Sequence, residues 1–372
     1  MSLRDAMRPW KGRLTAAPWR TVAALGLWRG EGPPVQFVVE KADWAIRWVG
    51  EHIRDEANAI RPDTVGVMDE PWRLANRVVH FGSQYMWLMW RDHLPRGNSY
   101  VTSFFHGKPE DGPDVARHID AFLASVPSLA RIVTGAGIIE RRLLDWGVPR
   151  DKLVRIPIGT DTRLFRPPTP QERIAARAAF GLEDDMLVVG SFQKDGQGWG
   201  DGMEPKPIKG PDILVDALVE LSRHRRVTAF LTGPARGFVK QGLERAGIPY
   251  IHRYVKDQAD LVSFYHALDL YLVTSREEGG PMGLMESMAS GVPVTSTAVG
   301  MAPDLIRPGI TGAMVEEQSG RVVANAALAL LAQADGLALR QAARAAVAMA
   351  DWAVVGRRHL QEVYLPLMER RG

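Results

Sequence analysis

Short apolar runs alternate with amphipathic stretches along most of the 372 residues. Runs of β-branched residues that alternate with helical periods are typical of α/β proteins with parallel sheets. In the first half, the pattern predicts a helix over residues 42–60 and strands over 35–40, 64–68, 100–105, 131–135 and 153–158. In the second half, it predicts a helix over 210–224 and strands over 186–192, 227–233, 268–275 and 292–297. We therefore expect an α/β protein with two doubly wound, Rossmann-like sheets.

The segment "FRPPTP", residues 165–170, interrupts this pattern. Its prolines exclude both a helix interior and a central strand, so we place a domain boundary there. The prediction is an N-terminal domain over 1–168, a C-terminal domain over 169–350 and a closing amphipathic helix over 351–372. Two domains also agree with the chain length, because single hydrophobic cores stop growing at roughly 250 to 300 residues.

The composition excludes several classes of protein and of functional site. The absence of cysteine excludes disulfides, thiolate metal sites and a thiol nucleophile, and favours a cytoplasmic location. The apolar stretch 322–333 is too short to cross a bilayer and no signal peptide is evident, so we expect a protein that is neither secreted nor membrane-spanning. A net charge of only +3 argues against a nucleic-acid partner.

Charge is nevertheless concentrated in residues 1–30, where six basic residues and three tryptophans accompany one acidic residue. This composition suits an anionic lipid surface, so we predict peripheral contact with the inner face of a membrane. The alternative is that the tryptophans pack on the domain and the basic side chains are solvated. The residues concerned are Arg4, Asp5, Arg8, Trp10, Lys11, Arg13, Trp19, Arg20, Trp28 and Arg29.

The stretch "REEGGPMGLMESMASGVPV", residues 276–294, holds the most informative chemistry. It follows an apolar strand, and ligands of open α/β sheets bind beyond the carboxyl ends of the strands. Gly279 and Gly280 are free to take positive φ and to let the backbone approach a ligand. Pro281 suits the first turn of a helix that starts near Met282 and ends at Gly291. The backbone N–H groups and dipole at that helix start predict a diphosphate site.

Two glutamates flank this helix start. Glu286, about one turn into the helix, can accept two hydrogen bonds from a ribose diol. Glu278 stays in the loop, beside the group that the diphosphate would carry. Together they suit a nucleotide-diphosphate sugar, whereas the alternative is a solvated loop residue and an exposed helix residue.

The spacing of Glu278 and Glu286, with "GVPV" after it, resembles the glutamate pair of retaining glycosyltransferases with the GT-B fold, particularly glycosyltransferase family 4. Four further segments resemble that family in the same order, although Ile158 and Thr160 replace its usual Asn and Val. They are "VTSFFHGK" (101–108), "PIGTDTRLFRPP" (157–168), "IKGPDILVDAL" (208–218) and "VSFYHALDLYLVTS" (262–275). The resemblance runs from about residue 100 to the C-terminus. It implies two Rossmann-like domains facing each other across a cleft, without a cofactor, with the nucleotide-sugar donor on the C-terminal domain and a glycan, lipid-linked or small-molecule acceptor on the N-terminal one.

The resemblance also implies roles for individual residues. His106 would contact the transferred sugar, although a structural histidine at a strand end is the alternative. Lys194 would replace an arginine that the family carries before its lysine, and the long loop 195–208 would cover the donor or shape the acceptor site. The implied catalytic residues are His106, Lys209 and Glu278, and the implied donor-binding residues are Lys194, Gly280, Met282, Gly283, Leu284 and Glu286.

Metal-binding patterns are missing from the sequence. No two aspartates are separated by a single residue, and no His/His or His/Glu spacing of the zinc-enzyme type occurs. We therefore expect a metal-independent enzyme in which Lys209, the amides near 280–284 and the helix dipole stabilise the leaving diphosphate. The alternatives are a sugar-nucleotide epimerase, a glycan phosphorylase, for which no pyridoxal-phosphate lysine motif is evident, and a non-catalytic nucleotide-sugar-binding subunit.

Overall fold

The computed structural model describes residues 17–23, 25, 27–28, 32–41, 45–95, 97–255, 257–333 and 336–370. The chain forms two compact units. The first unit is Met1–Ile158 with Trp352–Gly372, and the second unit is Gly159–Asp351.

The first unit contains a six-stranded parallel sheet in the order β2-β1-β3-β4-β5-β6. Its central strands are buried on both faces, as in other parallel sheets, and Val35 of β1 lies between Val65 and Val78 of the neighbouring strands. The strands are β1 Val35–Val38, β2 Val65–Met68, β3 Val78–Phe81, β4 Ser99–Ser103, β5 Arg131–Thr134 and β6 Leu153–Arg155. The helices are α1 Ala45–Ile60, α2 Gln84–Trp90, α3 Pro113–Ser125 and α4 Gly137–Asp145.

The second unit also contains a six-stranded parallel sheet, in the order β12-β11-β10-β7-β8-β9. The strand order reverses between β7 and β10, which makes this the topological switch point of the sheet, where ligands of such folds bind. The strands are β7 Leu187–Phe192, β8 Val227–Thr232, β9 Tyr250–Arg253, β10 Leu270–Val273, β11 Val294–Thr297 and β12 Ala313–Val315. The helices are α5 Pro170–Ala179, α6 Pro211–Ser222, α7 Gly237–Ala246, α8 Gln258–Ala267, α9 Met282–Ala289, α10 Ala302–Leu305, α11 Gly320–Leu331 and α12 Gly336–Val347.

The units divide ten residues before the predicted boundary at Pro168. The proline-rich segment lies in the second unit because polar contacts bind it there. Arg344 donates hydrogen bonds to the carbonyl oxygens of Thr162 and Phe165, at 3.0 and 3.2 Å. The Thr162 hydroxyl donates to Asp351 at 2.5 Å. Prolines thus mark a break in regular structure here, not the division between the units.

The C-terminal tail belongs to the first unit. It consists of α13 Trp352–Arg358, a π-helical segment His359–Tyr364 and α14 Leu365–Glu369. A Cβ at Gly356 would lie 2.4 Å from the Cβ of Glu56, so only glycine lets α13 pack this closely on α1. The predicted closing helix is therefore three helical pieces.

A buried polar contact connects this tail to the sheet. The Nδ1 atom of His80, on β3, lies 2.9 Å from the Tyr364 hydroxyl, and its Nε2 atom lies 3.0 Å from the Ser103 hydroxyl. His359 is buried beside them and its Nδ1 atom bonds to the Val355 carbonyl at 2.9 Å. Burial lowers the pKa of His359 to about 4 and lowers the pKa of His80 well below its usual value.

The two histidines predict that the first unit loses stability in acid. An unfolded histidine binds its proton near pH 6.5, whereas folded His359 does so only near pH 4. The pKa difference therefore stabilises the folded state above pH 6.5, and this stabilisation is lost as the pH falls toward 4. For His359 alone the loss of unfolding free energy is at most about 3 kcal/mol. His359→Asn should reduce the loss of unfolding free energy between pH 7 and pH 4.5.

Urea unfolding followed by tryptophan fluorescence measures this loss in the first unit, because Trp199 is the only tryptophan in the range of the second unit. The control is His224→Asn, since the His224 side chain is 51% exposed. Equal pH dependence in His359→Asn and the wild type would show that His359 does not contribute.

Among the described residues, no single helix has the length and apolar character needed to span a membrane. One pair of helices bent by 114°, Gly320–Leu331 with Gly336–Ala350, meets the length and composition criteria only when the two are taken together.

Candidate functional site

Lys209 and Glu278 meet at the topological switch point of the second sheet. Lys209 lies in the connection from β7 to α6, and Glu278 lies in the loop after β10, the neighbouring strand. The Lys209 ammonium is 2.5 Å from Glu278 Oε1, and the Ser275 hydroxyl donates to the same oxygen at 2.8 Å. The Glu278 residue is only 8% exposed. The two residues predicted to be catalytic in this unit therefore form one ion pair, in which Glu278 is buried and Lys209 is partly exposed.

Backbone contacts fix the two loops that carry this ion pair. Gly210 has φ +59°, and a Cβ there would lie 1.9 Å from the Thr274 carbonyl oxygen, so only glycine fits. The Thr274 hydroxyl donates to the Gly210 carbonyl at 3.0 Å. The backbone N–H of Arg276 donates to the Ile208 carbonyl at 2.8 Å. These contacts hold the connection after β7 against the end of β10 and preorganise the ion pair.

Helix α9 begins at Met282 as predicted and ends at Ala289, with Gly291 in the left-handed region at φ +69°. Pro281 is the N-cap residue and not part of the first turn. Leu284 N–H donates to the Pro281 carbonyl at 3.0 Å, whereas Met282 and Gly283 open the helix, where N–H groups have no intrahelical acceptor. The start of α9 thus offers the N–H groups of Met282 and Gly283, rather than that of Leu284, to an anion.

Gly279 and Gly280, which are free to take positive φ, do not take it in this structure. The left-handed glycine at this place is Gly300, at φ +50°. A Cβ at Gly300 would lie 3.1 Å from the backbone of both Gly279 and Gly280. The loop that contains Gly279 and Gly280 therefore packs directly on Gly300, twenty residues later in the chain.

Gly283 has a packing role that the sequence did not indicate. A Cβ at Gly283 would lie 2.0 Å from the Tyr271 hydroxyl oxygen. This hydroxyl accepts a hydrogen bond from the Phe192 backbone N–H at 3.0 Å, at the end of β7. Glycine at this position thus lets the start of α9 lie directly on the junction of β7 and β10.

Glu286 is buried in the same unit and is 4% exposed. Its Oε2 accepts a hydrogen bond from the Tyr265 hydroxyl at 2.6 Å, and its Oε1 accepts a longer one from Gln258 at 3.4 Å. Burial raises the pKa of Glu286 to about 7, although the Tyr265 hydrogen bond opposes this shift. Neither Glu278 nor Glu286 is a solvated side chain, so the alternative considered for both is wrong. Tyr265 and Gln258 were not predicted, because nothing in the sequence connects α8 with Glu286.

Two further lysines lie near the ion pair. The Lys194 ammonium lies 3.8 Å from the centre of the Trp199 ring. Lys206 was not predicted as a site residue. Burial lowers the pKa of Lys206, the positive charges of Lys209 and Lys194 lower it further, and the Glu278 carboxylate raises it. Lys206 lies in the same connection as Lys209, three residues before it.

His106 lies in the first unit, three residues beyond the end of β4. The side-chain amide of Gln84, at the start of α2, donates to the His106 carbonyl oxygen at 3.2 Å. His106 is thus at the carboxyl edge of the first sheet, as predicted for a residue that ends a strand.

No group of three or more histidine, aspartate or glutamate side chains that could hold a metal ion occurs within the described ranges. Residues 1–16 of the predicted membrane-binding segment lie outside those ranges. Of its tryptophans, Trp19 and Trp28 are described, and their ring centroids are 4.7 Å apart. Trp28 donates to the Arg73 carbonyl at 2.9 Å, and the Arg73 guanidinium is 5.0 Å from the Trp19 ring. These two indoles contact the first unit.

Part of the chain is similar to known glycosyltransferases. Residues 201–333 match the family model of the glycosyl transferases group 1. A lipopolysaccharide core biosynthesis mannosyltransferase, LpsB of Rhizobium meliloti, is 30% identical over 198 residues, which cover 48% of this chain and 53% of the relative. A D-inositol 3-phosphate glycosyltransferase of Nocardia farcinica is 32% identical over 238 residues, which cover 58% of this chain and 49% of the relative. The chain thus spans about half the length of the curated relatives it matches.

Solved structures match nearly the whole chain. Anabaena HepE in complex with UDP-glucose has a TM-score of 0.72 at 18% identity, over 88% of this chain and 98% of that one. Sucrose-phosphate synthase of Thermosynechococcus elongatus has a TM-score of 0.72 at 17% identity, over 91% of this chain and all of that one. Residues 201–333 are thus similar to the group 1 glycosyltransferases, and the chain has the GT-B fold, with two parallel six-stranded sheets flanked by helices.

Proposed function

We propose that this protein is a retaining, metal-independent glycosyltransferase that moves a sugar from a nucleotide-diphosphate sugar to a hydroxyl group of a glycan, a lipid-linked or a small-molecule acceptor. The observation that carries the proposal is the ion pair of Lys209 and Glu278 at the switch point of the second sheet, next in sequence to the start of α9. The names of the two curated relatives and the UDP-glucose bound to HepE support it. Membership of family 4 and a role in polysaccharide biosynthesis are parts of the same proposal.

The donor would bind to the second unit. In this proposal the diphosphate lies against the Lys209 ammonium, the backbone near Gly280 and the N–H groups of Met282 and Gly283. A cation and a helix start placed there favour negative charge, and they favour it most when the diphosphate leaves with an additional charge. Glu286 would accept hydroxyl hydrogen bonds from the ribose through Oε1. The hydrogen bond from Gln258 to Oε1 is longer than the one from Tyr265 to Oε2, so a ribose hydroxyl can replace it more easily.

Retention of anomeric configuration is proposed from the resemblance to retaining glycosyltransferases, and a front-face step without a covalent intermediate is proposed from the state of Glu278. Its Oε1 already accepts from both Lys209 and Ser275, so this oxygen is a poor nucleophile toward an anomeric carbon. In the proposed front-face step, the bond from the anomeric carbon to the diphosphate oxygen breaks and a bond to the acceptor oxygen forms on the same face. The diphosphate accepts the proton of the acceptor hydroxyl. His106 of the first unit would contact the transferred sugar.

A panel of UDP-, GDP-, ADP- and dTDP-sugars tests the function. A donor at about 100 times its dissociation constant should add roughly 2.7 kcal/mol to the unfolding free energy, which a thermal-shift assay detects. The donor that stabilises the protein is then incubated with it, and product formation is followed by mass spectrometry. Release or transfer of the sugar supports the proposal. Formation of an isomeric nucleotide sugar would indicate an epimerase, and binding without turnover a non-catalytic subunit.

Turnover should not require a metal ion. The expected result is that the rate of donor consumption stays within about twofold after metal removal and in excess EDTA, because Lys209 and the start of α9 provide the positive potential. The control adds magnesium or manganese back to the stripped protein. An absolute requirement for either ion would contradict this part of the proposal.

Membrane contact through residues 1–30 stays a prediction. Salt-sensitive sedimentation with anionic liposomes, lost in a variant that starts near Pro33, would support it, whereas equal sedimentation of both proteins would remove it.

A further inference from the structure

An aromatic stack lies open on the first unit. The ring centroids of Tyr85 and His118 are 4.0 Å apart, and their planes differ by 18°. Tyr85 is 46% exposed although His118 covers one face of its ring, so the exposed area lies on the opposite face and at the hydroxyl edge. Of the phenylalanine, tyrosine and tryptophan residues that the structure describes in the first unit, only Tyr85 is exposed.

Tyr85 lies at the carboxyl edge of the first sheet, where ligands of open α/β sheets bind. It is in the first turn of α2, which begins at Gln84, three residues beyond the end of β3. The side-chain amide of Gln84 donates to the His106 carbonyl oxygen at 3.2 Å. Tyr85 therefore directly follows the residue that holds the loop after β4, and this loop carries the histidine proposed to contact the transferred sugar.

The loop after β4 and the aromatic stack share their supports. Arg142 of α4 donates to the Gly107 carbonyl oxygen at 3.2 Å. Gly107 has φ +113°, and a Cβ there would lie 3.7 Å from Cγ1 of Val115 on α3. His118 lies on the same helix, about one turn after Val115. Because α2 and α3 hold both the loop and the stack, the Tyr85 ring has a fixed place beside this loop.

Both rings of the stack are neutral near pH 7. Burial lowers the pKa of the His118 imidazole below its usual value. Burial raises the pKa of the Tyr85 phenol, and the negative charge of Asp111 raises it further. A neutral imidazole on one side leaves the open face of the phenol ring with the negative potential of its π-system, which attracts C–H groups.

The charges next to the ring disfavour an anionic ligand. The segment that leads into α3, residues 108–114, contains one basic and three acidic residues. Asp114 is paired with Arg117. Asp111 is exposed, and its Oδ2 accepts the backbone N–H of Lys108 at 3.0 Å. A carboxylate beside an open aromatic face accepts hydrogen bonds from hydroxyl groups and repels a phosphate group.

We propose that the open face of Tyr85 is a platform on which a neutral sugar ring of the acceptor stacks. A pyranose has C–H groups on its face and hydroxyl groups around its edge, so it suits an aromatic face with the Asp111 carboxylate nearby. The inference rests on the proposed function and names its acceptor class. The acceptor is an uncharged saccharide, and not a phosphorylated polyol or an anionic lipid.

The test uses the methyl pyranosides of glucose, galactose and mannose, with binding to the full chain measured by saturation-transfer NMR. Tyr85→Ala should weaken the binding of at least one pyranoside by roughly 10-fold, the effect of burying one ring face. Tyr85→Phe keeps the ring and should bind within about threefold of the wild type. The matched control is Met89→Ala, because Met89 is 51% exposed one turn further along α2 and should not contact the sugar.

Equal pyranoside binding by Tyr85→Ala and the wild type would overturn the inference, as would a wild type that binds none of the three. Two further probes distinguish the other acceptor classes, namely myo-inositol 1-phosphate and phosphatidylglycerol vesicles. An effect of Tyr85→Ala on either of these, without one on the pyranosides, would also overturn it. The proposed function fails separately, if a wild type that binds pyranosides through Tyr85 turns over no nucleotide sugar.

Discussion

Lys209→Ala is expected to lower kcat/KM for the nucleotide-sugar donor by roughly 100- to 1000-fold, the cost of removing one preorganised group that stabilises developing charge. Lys209 lies at the switch point of the second sheet, in a loop that Gly210 and Thr274 hold in place. Its ammonium would face the diphosphate oxygen on which charge develops. Steady-state kinetics with the donor identified by the panel measure the effect.

The matched control is Arg223→Ala. Arg223 also pairs with a carboxylate, Glu220, at 2.6 Å in the same unit, but its side chain is 66% exposed. Arg223→Ala should keep kcat/KM within about twofold of the wild-type value, because exposed ion pairs contribute little to stability. A loss below about threefold in Lys209→Ala would contradict the assigned role.

A second variant separates catalysis from folding. Lys209→Ala leaves the carboxylate of Glu278 buried and unpaired, which destabilises a protein. The double variant with Glu278→Gln removes that charge. It should recover much of the lost unfolding free energy, yet its turnover should stay well below that of Glu278→Gln alone. Turnover equal to that of Glu278→Gln alone would mean that Lys209 acts only in folding.

Glu286→Gln is expected to stabilise the second unit at high pH while it weakens nucleotide binding. The pKa of folded Glu286 is about 7, raised by burial from the usual value of 4.5. A raised pKa means that the folded state favours the protonated carboxyl. The resulting stability is fully present below pH 4.5 and is lost as the pH rises through 7. Wild type should therefore lose about 3 kcal/mol relative to Glu286→Gln between pH 4.5 and pH 8.

Binding should change in the opposite sense. The variant replaces one carboxylate oxygen by an amide group that cannot accept a ribose hydroxyl hydrogen bond. The affinity for the nucleoside diphosphate at pH 8 should fall by roughly 10- to 100-fold, since hydrogen bonds to a charged group contribute about 1.5 to 3 kcal/mol. Isothermal titration measures the affinity, and hydrogen exchange of peptides from β10 and α9 measures the stability.

Glu244→Gln is the control for both measurements. Glu244 accepts a hydrogen bond from the Tyr250 hydroxyl at 2.6 Å, the same distance as in the pair of Tyr265 and Glu286, but this contact is exposed. It should change neither the pH dependence nor the affinity. If Glu286→Gln has the same pH dependence of stability and the same nucleotide affinity as Glu244→Gln, then burial does not raise the pKa of Glu286 and Glu286 does not contact the ribose.

The sequence predicted those parts of the fold that depend on local signals. Proline and glycine fixed the start of α9 at Met282, and β-branched runs located nine strands. The three strands that were not predicted are β3, β9 and β12. In β3 the polar residue His80 interrupts the apolar pattern. Its partner Tyr364 lies 284 residues later in the chain, so no local pattern indicates that His80 is buried.

The parts of the site that could not be predicted depend on contacts between distant positions. The proline-rich segment belongs to the second unit through Arg344, which is 179 residues from Phe165. Glu286 is buried against Tyr265, and the loop before Lys209 contains the buried pair of Asp195 and Arg236. Motif spacing singled out the two glutamates and Lys209 as candidates, but the sequence contains no local signal for these supporting contacts.

The anomeric configuration of the first product tests the central claim most directly. The protein is incubated with an α-linked nucleotide-diphosphate sugar from the panel, and the anomeric proton of the transferred or released sugar is followed by NMR from the earliest time points. The account predicts that the α-anomer forms first, before mutarotation. Initial formation of the β-anomer, or no turnover of any donor in the panel, would contradict it.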